Sequence, residues 1–124
     1  EFIYYTFLSP AQVGAASAAI EVVRAEPDKR QHLRSISTWF RQELTALGWP
    51  KNHDEPTSPI IPIVVGDVDA ALDLKRIFLD KGILVGAVRP PTVPIPRLRI
   101  SLHSGLTQEH LNDVLKVLKQ WKKR

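Results

Sequence analysis

The spacing of apolar residues predicts four helices. In each of four segments, apolar or small residues recur every three or four positions, as on one face of a helix. The predicted helices are 10–26 after the cap Ser9, 28–47 ending at Gly48, a third between the cap Asp67 and Gly82, and a last one between the cap Thr107 and Trp121. Short polar caps and glycines at these ends are typical helix boundaries.

Three further segments predict strands. Ile60 to Val65 is apolar and β-branched, but Pro62 cannot donate a ladder hydrogen bond and indicates an edge strand or a bulge. A second strand is expected from Ile83 to Val88. From Arg97 to Leu102 the pattern alternates, with Leu98, Ile100 and Leu102 on one face and Arg97, Arg99 and Ser101 on the other. The resulting order ααβαββα predicts an α+β domain with a small, mainly antiparallel three-stranded sheet covered by helices on one side.

Two proline-rich segments connect these elements. WPKNHDEPTSP, from Trp49 to Pro59, is polar and predicts an exposed loop. Four prolines precede the last strand, and because each ring fixes φ and removes a backbone donor, we expect a stiff and extended approach to that strand.

The chain opens with EFIYY and contains no methionine, which indicates a piece of a longer protein. The first helix carries small residues at helical spacing, an arrangement that permits close approach to a neighbouring element. If that neighbour is a missing domain or a partner subunit, the isolated chain exposes apolar surface and associates.

Composition removes several classes of function. The 124 residues fit one domain, and no apolar run approaches the roughly 20 residues of a membrane span. Without cysteine, thiolate metal sites are excluded, and the four histidines lack a ligand spacing and are expected at the surface or at caps. The densest cluster of cations is near the end of the last helix, where they complement the helix dipole, so nucleic acid is not an expected partner.

The arginines of the last strand are the candidate functional residues. Arg97 and Arg99 share one strand face, and an arginine fork can hold a carboxylate through two parallel hydrogen bonds. On the sequence pattern alone, the favoured interpretation is that Arg97 and Arg99 line the solvated side of an antiparallel sheet. A non-enzymatic α+β module that binds an anion on Arg97 and Arg99 is one hypothesis for the function.

A second hypothesis comes from resemblance to a family. IYYTFLSPAQ at Ile3 to Gln12, SPIIPIVVGD at Ser58 to Asp67, GILVGAVRPPTVP at Gly82 to Pro94 and RLRISL at Arg97 to Leu102 resemble segments of the 8-amino-7-oxononanoate synthases. These α-oxoamine synthases are pyridoxal-phosphate enzymes of the aspartate-aminotransferase fold. The matches occur in order across nearly the whole chain.

The resemblance implies a domain and a reaction. Residues 1–124 would be the C-terminal small domain of a fold-type-I transferase, with 1–9 connecting it to the large domain that binds the cofactor. The intact enzyme would be a cytoplasmic homodimer of the biotin pathway. It would condense L-alanine with pimeloyl-CoA or a pimeloyl-carrier protein and release CO2, with neither nucleic acid nor membrane as a partner.

The resemblance also implies roles for three residues. Arg99 would hold the substrate carboxylate, and Arg89 would lie at the mouth of the substrate channel, although an exposed loop arginine is nearly as good an interpretation. Thr6 would contact the cofactor phosphate of the opposite subunit, but Tyr5 replaces the family's usual serine beside it.

Several departures limit the resemblance. The link Ile95-Pro96 is shorter than in the family, and Leu106 stands where the family has a histidine, which leaves His103 without a role. The family's cofactor-binding lysine has no counterpart in a glycine-rich context here, so the chain is predicted to be inactive by itself.

Overall fold

Helices and strands follow one another in the predicted order ααβαββα. The computed structural model describes residues 8–50 and 58–122, and the structural statements below concern those two ranges. The elements are α1 (Pro10–Ala25), α2 (Pro27–Ala46), β1 (Ile60–Val64), α3 (Val68–Asp80), β2 (Gly86–Val88), β3 (Arg97–Ser101) and α4 (Gln108–Trp121).

The three strands form one antiparallel sheet in the order β1-β3-β2. Because β3 is central, its alternation decides the two faces of the sheet. Leu98 and Ile100 are buried, while Arg99 and Ser101 are exposed on the opposite face. In the described ranges the helices cover the buried face only, so the predicted α+β architecture is confirmed.

Pro62 lies at the sheet edge, as its missing backbone donor predicts. Two bonds fix the pattern between β1 and β3: Leu102 N–H donates to the Pro59 carbonyl at 2.9 Å, and Val65 N–H donates to the Pro96 carbonyl at 3.1 Å. Since backbone groups alternate along a strand, the Pro62 nitrogen points away from β3. The proline therefore removes no hydrogen bond from the ladder.

The core lies between the sheet and the helices α2, α3 and α4. Phe40 of α2, Phe78 of α3 and Leu118 of α4 are fully buried against the inner residues of β1 and β3. The buried residues of α4 are Leu111, Val114, Leu115, Val117 and Leu118, and Trp121 is half-buried. Burial of this continuous apolar surface is the main force that holds the helices on the sheet.

The predicted caps are confirmed. Ser9 and Thr107 each form a capping box with the residue three positions later, and the Asp67 side chain accepts a hydrogen bond from Ala70 N–H at 2.8 Å. Helix α2 begins at Pro27, one residue earlier than predicted, because the fixed φ of proline suits the first helical position.

The second strand is shorter than predicted. We expected it to run from Ile83, but the ladder begins at Gly86. Ile83 N–H donates instead to the Phe78 carbonyl at 2.9 Å, and Gly82 N–H to the Leu79 carbonyl at 2.9 Å. These bonds end α3 in a Schellman-type motif, which uses the backbone donors that a strand would need.

Trp49 corrects the prediction that its segment is exposed. Its indole is buried and stacks on Trp121, with ring centroids 6.2 Å apart. The interior of this loop, residues 51–57, lies outside the described ranges. Burial of the large apolar indole ring stabilises the folded chain, and this gain outweighs the tendency of the polar residues around Trp49 to stay exposed.

The proline segment before β3 also differs from the prediction. It was expected to be extended, but Thr92 N–H donates to the Arg89 carbonyl at 3.1 Å and closes a turn around the cis Pro90–Pro91 peptide. Because β2 and β3 are antiparallel neighbours, the chain has to reverse between them.

Helix α1 differs from the other three helices because it contributes no buried residue to the core. None of its residues is buried, and contact with other described residues is limited to its end, where Val22 and Val23 line a small cavity with Leu33 of α2 and Ser104. The neighbour that its small residues predict is therefore not among the described residues. None of the described helices combines the length and the hydropathy that a membrane-spanning segment requires.

Candidate functional site

Arg99 stands at the centre of the sheet face that the helices leave uncovered. It occupies the middle of the central strand, opposite Pro62 of β1 on one side and Gly86 of β2 on the other. Its side chain is exposed, and no hydrogen bond or ion pair joins it to another described residue. The guanidinium therefore keeps its five donors available for a ligand.

Arg97 shares that face but is already engaged. Its Nε donates to the Ile95 carbonyl at 3.2 Å, and its side chain is half-buried between Val64 and Val88. Two residues along a strand correspond to roughly 6.5 Å, so the two cations lie close together on one face. The paired guanidiniums give this surface a positive potential that attracts an anion.

A cavity of about 380 Å³ opens beside these arginines. Its lining combines apolar side chains with the two cations: Ser58, Ile60, Pro62, Val88, Val93, Arg97 and Arg99. Among the residues that the structure describes, no acidic side chain contributes to that lining. The cavity is therefore suited to a small anion that carries an apolar group.

The other two predicted site residues are not part of this cavity. Arg89 is exposed directly after β2, where its carbonyl closes the turn with Thr92, and it does not line the cavity with Arg99. Thr6, with its neighbour Tyr5, lies outside the described ranges.

Sequence reasoning missed the apolar wall of the cavity. Pro62 and Val88 face the same side as the arginines because they pair with Arg99 and Arg97. Period-two alternation along β1 and β2 carries this signal, but it becomes readable only when the register against β3 is known.

A larger cavity of about 720 Å³ lies elsewhere and contains none of the predicted site residues. It opens between the connection 81–85, the end of β3 and α4. His103 is on its wall, where its Nδ1 accepts a hydrogen bond from Gly105 N–H at 3.2 Å. The Asp113 carboxylate is also there, and the hydrogen bond from Lys116 lowers its pKa. The arginine cavity is the better candidate site because no ion pair with another described residue neutralises its cations.

Solved structures of other proteins share the fold of this chain. The 8-amino-7-oxononanoate synthase from Francisella tularensis superposes with a TM-score of 0.83 and 28% identity, over 98% of this chain and 36% of that one. The serine palmitoyltransferase from Sphingomonas wittichii gives 0.86 and 26%, over 98% and 31%. A serine palmitoyltransferase solved with PLP gives 0.87 and 25%, over 98% and 31%. The fold is that of the small domain in fold-type-I pyridoxal-phosphate enzymes.

Sequence comparison identifies the family. The pattern described as Aminotransferase class I and II matches residues 1–118, and the chain belongs to that family. The 8-amino-7-oxononanoate synthase of Aeromonas salmonicida is 41% identical over 94% of this chain, and that of Hahella chejuensis is 35% identical over 98%. The predicted resemblance to these synthases is confirmed. The chain spans 29% and 31% of the length of these two relatives.

The described lysines do not provide a covalent cofactor site beside Arg99. None of them lines the arginine cavity. Lys29 pairs with Glu26 at 2.6 Å, Lys116 pairs with Asp113 at 2.8 Å, and Lys122 donates to the Leu47 carbonyl at 3.0 Å. The described residues therefore do not fit a pyridoxal phosphate bound through lysine, and what they supply is the arginine-bearing face.

Proposed function

We propose that residues 1–124 form the C-terminal small domain of an 8-amino-7-oxononanoate synthase. The reaction joins the α-carbon of L-alanine to the acyl carbon of a pimeloyl thioester, with loss of the alanine carboxylate as CO2 and of the thiol. The proposal is supported by synthases that are 35–41% identical over nearly the whole chain and by the match to the aminotransferase family.

In this proposal Arg99 holds the carboxylate of L-alanine. The observation that carries it is the position of Arg99, exposed at the centre of the uncovered sheet face and without a partner among the described residues. A guanidinium fork would bind both carboxylate oxygens and fix the orientation of the α-carbon. Such positioning contributes heavily to rate because it removes rotational freedom before the reaction.

Two further residues complete the proposed contribution of the chain. Arg89 would act at the mouth of the channel through which the pimeloyl group enters, as its exposed position after β2 permits. Thr6 would donate to the cofactor phosphate of the opposite subunit. The enzyme would then be a cytoplasmic homodimer whose cofactor is held by the rest of the protein, and the isolated chain would be inactive.

A second candidate function is a non-enzymatic module that binds an anion. The observation in its favour is the cavity itself, in which the described lining combines Arg97 and Arg99 with apolar walls and no acidic side chain. Such a module would bind a carboxylate or a phosphate without any other part of a protein.

The Arg99→Ala variant of the whole protein encoded by the gene tests the first function. We expect kcat/KM for L-alanine to fall by a hundredfold or more, since each charge-assisted hydrogen bond contributes about 1.5–3 kcal/mol. Arg34→Ala is the matched control, because Arg34 is an exposed arginine on α2 outside the cavity. Unchanged kinetics in Arg99→Ala would contradict the proposed role.

Calorimetry on the 124-residue chain separates the two functions. A module would bind acetate or inorganic phosphate in a manner that depends on Arg97 and Arg99. Part of an enzyme site would bind L-alanine and pyridoxal phosphate negligibly until the rest of the protein is present.

A further inference from the structure

Gly86 leaves the position beside Arg99 open on the uncovered sheet face. The two residues lie directly opposite each other in the β2–β3 ladder. A side chain at position 86 would therefore point to the same face as the arginine and stand next to it. On the other side of Arg99 the corresponding position is filled by the ring of Pro62.

The packing of the described chain does not require glycine at this position. A Cβ added to Gly86 would lie 3.6 Å from the Arg99 Cβ and 3.7 Å from the Arg99 carbonyl oxygen, which are ordinary contacts. Gly86 is also not among the glycines with positive φ, which are Gly48, Gly66 and Gly82. Glycine weakens a strand because it loses more backbone entropy and packs no side chain. The empty position therefore calls for another explanation, and space for a ligand is one that the geometry supports.

The direction in which a bound carboxylate can extend follows from these neighbours. A carboxylate on Arg99 would have the rigid apolar ring of Pro62 on one side and Gly86, which has no side chain, on the other. Val88, two residues along β2, and Val93 line the cavity and give it apolar walls. A small aliphatic group attached next to the carboxylate would fit over Gly86 against these walls.

We propose that Gly86 is a specificity-determining residue that sets the size of the side chain accepted on the amino-acid substrate. This inference rests on the proposed function, in which Arg99 holds the amino-acid carboxylate. The α-carbon next to that carboxylate bears the side chain of the amino acid, which would then occupy the space over Gly86. With glycine at position 86, the site takes aliphatic side chains at least as large as the methyl group of alanine.

The test uses Gly86→Ala and Gly86→Val in the whole protein with its cofactor. For each variant, kcat/KM is measured with glycine, L-alanine and L-2-aminobutyrate, and the binding of the same three amino acids is measured by calorimetry. Ser101→Val is the matched control, since Ser101 is exposed on the same face of β3 but is two residues from Arg99. It adds a β-branched side chain without filling the space over Gly86.

We expect the loss to grow with the size of both side chains. Gly86→Val should lower the ratio of kcat/KM for L-2-aminobutyrate to kcat/KM for the substrate glycine by about tenfold or more, the usual effect of one misplaced methylene. The ratio for Gly86→Ala should lie between those of wild type and Gly86→Val. In Ser101→Val, the ratio of kcat/KM for L-2-aminobutyrate to kcat/KM for the substrate glycine should stay at the wild-type value. An equal change for all three amino acids, or no change, would overturn the inference.

Failure of the proposed function has a different signature. If the wild-type protein forms no product but binds the amino acids with a Gly86-dependent size limit, the function fails and the inference stands. If the wild-type protein neither turns over nor binds these amino acids, both are overturned.

Discussion

Lys122 lies over the indole ring of Trp49, with its Nζ 5.4 Å from the ring centroid. The same ammonium group donates to the carbonyls of Leu47 and Gly48 at the end of α2. The residue after α4 thus satisfies backbone acceptors of α2 and covers a core tryptophan. This contact joins the C-terminal end of α4 to the C-terminal end of α2.

Loss of this contact should lower the stability of the chain. We expect Lys122→Ala to reduce the free energy of unfolding by about 1–2 kcal/mol, because it removes hydrogen bonds to two carbonyls and a cation–π contact. Urea unfolding of the 124-residue chain measures the change. Lys119→Ala removes an exposed lysine of the same helix and should stay within about 0.5 kcal/mol of wild type. Equal losses in both variants would show that the contact contributes nothing specific.

A side chain at position 48 should lower the stability of the chain. Its φ of +77° is in the left-handed region, and an added Cβ would lie 2.8 Å from Lys122 Nζ. We expect Gly48→Ala to destabilise the chain by about 1–2 kcal/mol, mainly through backbone strain. In the Lys122→Ala background the steric part of that loss should disappear, and a double-mutant cycle from urea titrations measures it.

Gly14→Ala is the opposing control for this substitution. An added Cβ at Gly14 meets nothing within 4 Å, and the residue is inside helix α1. Alanine there should stabilise the helix by about 0.5–1 kcal/mol. If Gly14→Ala and Gly48→Ala change stability in the same direction, the conformational argument is wrong.

The fold was predictable where local signals and burial agree. The caps Ser9, Asp67 and Thr107 and the alternation of β3 each act within a few residues, and all are confirmed. Trp49 was not predictable because its polar, proline-rich neighbours indicate a loop, while its burial depends on Trp121, far along the chain. Long-range packing overrides local composition at that position.

The candidate site was predictable only in part. Arg97 and Arg99 were identified because an alternating strand places them on one face, and this placement is local. Pro62 and Gly86 flank Arg99 through pairing with two other strands, so their positions depend on register. The carboxylate role of Arg99 comes from the family resemblance and stays a prediction.

The Asp113–Lys116 pair predicts a pH dependence of stability. Its hydrogen bond lowers the pKa of Asp113 below 3.8 and raises the pKa of Lys116 above 10.5. A depressed aspartate pKa contributes stability that is present above the unfolded value and is lost as the pH falls through the folded value. The raised lysine pKa contributes stability that is lost as the pH rises through its folded value.

The expected result is a small stabilisation between about pH 4 and pH 10 that fades at both ends. Asp113→Asn should remove it, and urea titrations of wild type and variant should converge at acidic pH. Asp80→Asn is a control, because no ion pair is seen for Asp80 within the described residues. A wild-type advantage that grows as the pH falls below 4 would contradict the sign of this argument.

The uncovered face of α1 predicts that the isolated chain associates. Val13, Ile20 and Val23 recur at helical spacing, and each is more than half exposed in the described chain. An apolar stripe of this kind is a site for another surface, either a further part of the protein or a second copy of the chain. In the isolated 124-residue chain, we expect a second copy to cover it.

Sedimentation equilibrium over a range of concentrations measures this association. Replacing Val13, Ile20 and Val23 together with glutamine should shift the chain to monomer, since glutamine keeps the helix propensity but removes the apolar surface. Leu79→Gln on α3 is the control, because Leu79 is an exposed apolar residue of a different helix, and its replacement should leave the association unchanged. A wild-type chain that stays monomeric at high concentration would show that α1 carries no association surface, and an equal effect of Leu79→Gln would show that the association is non-specific.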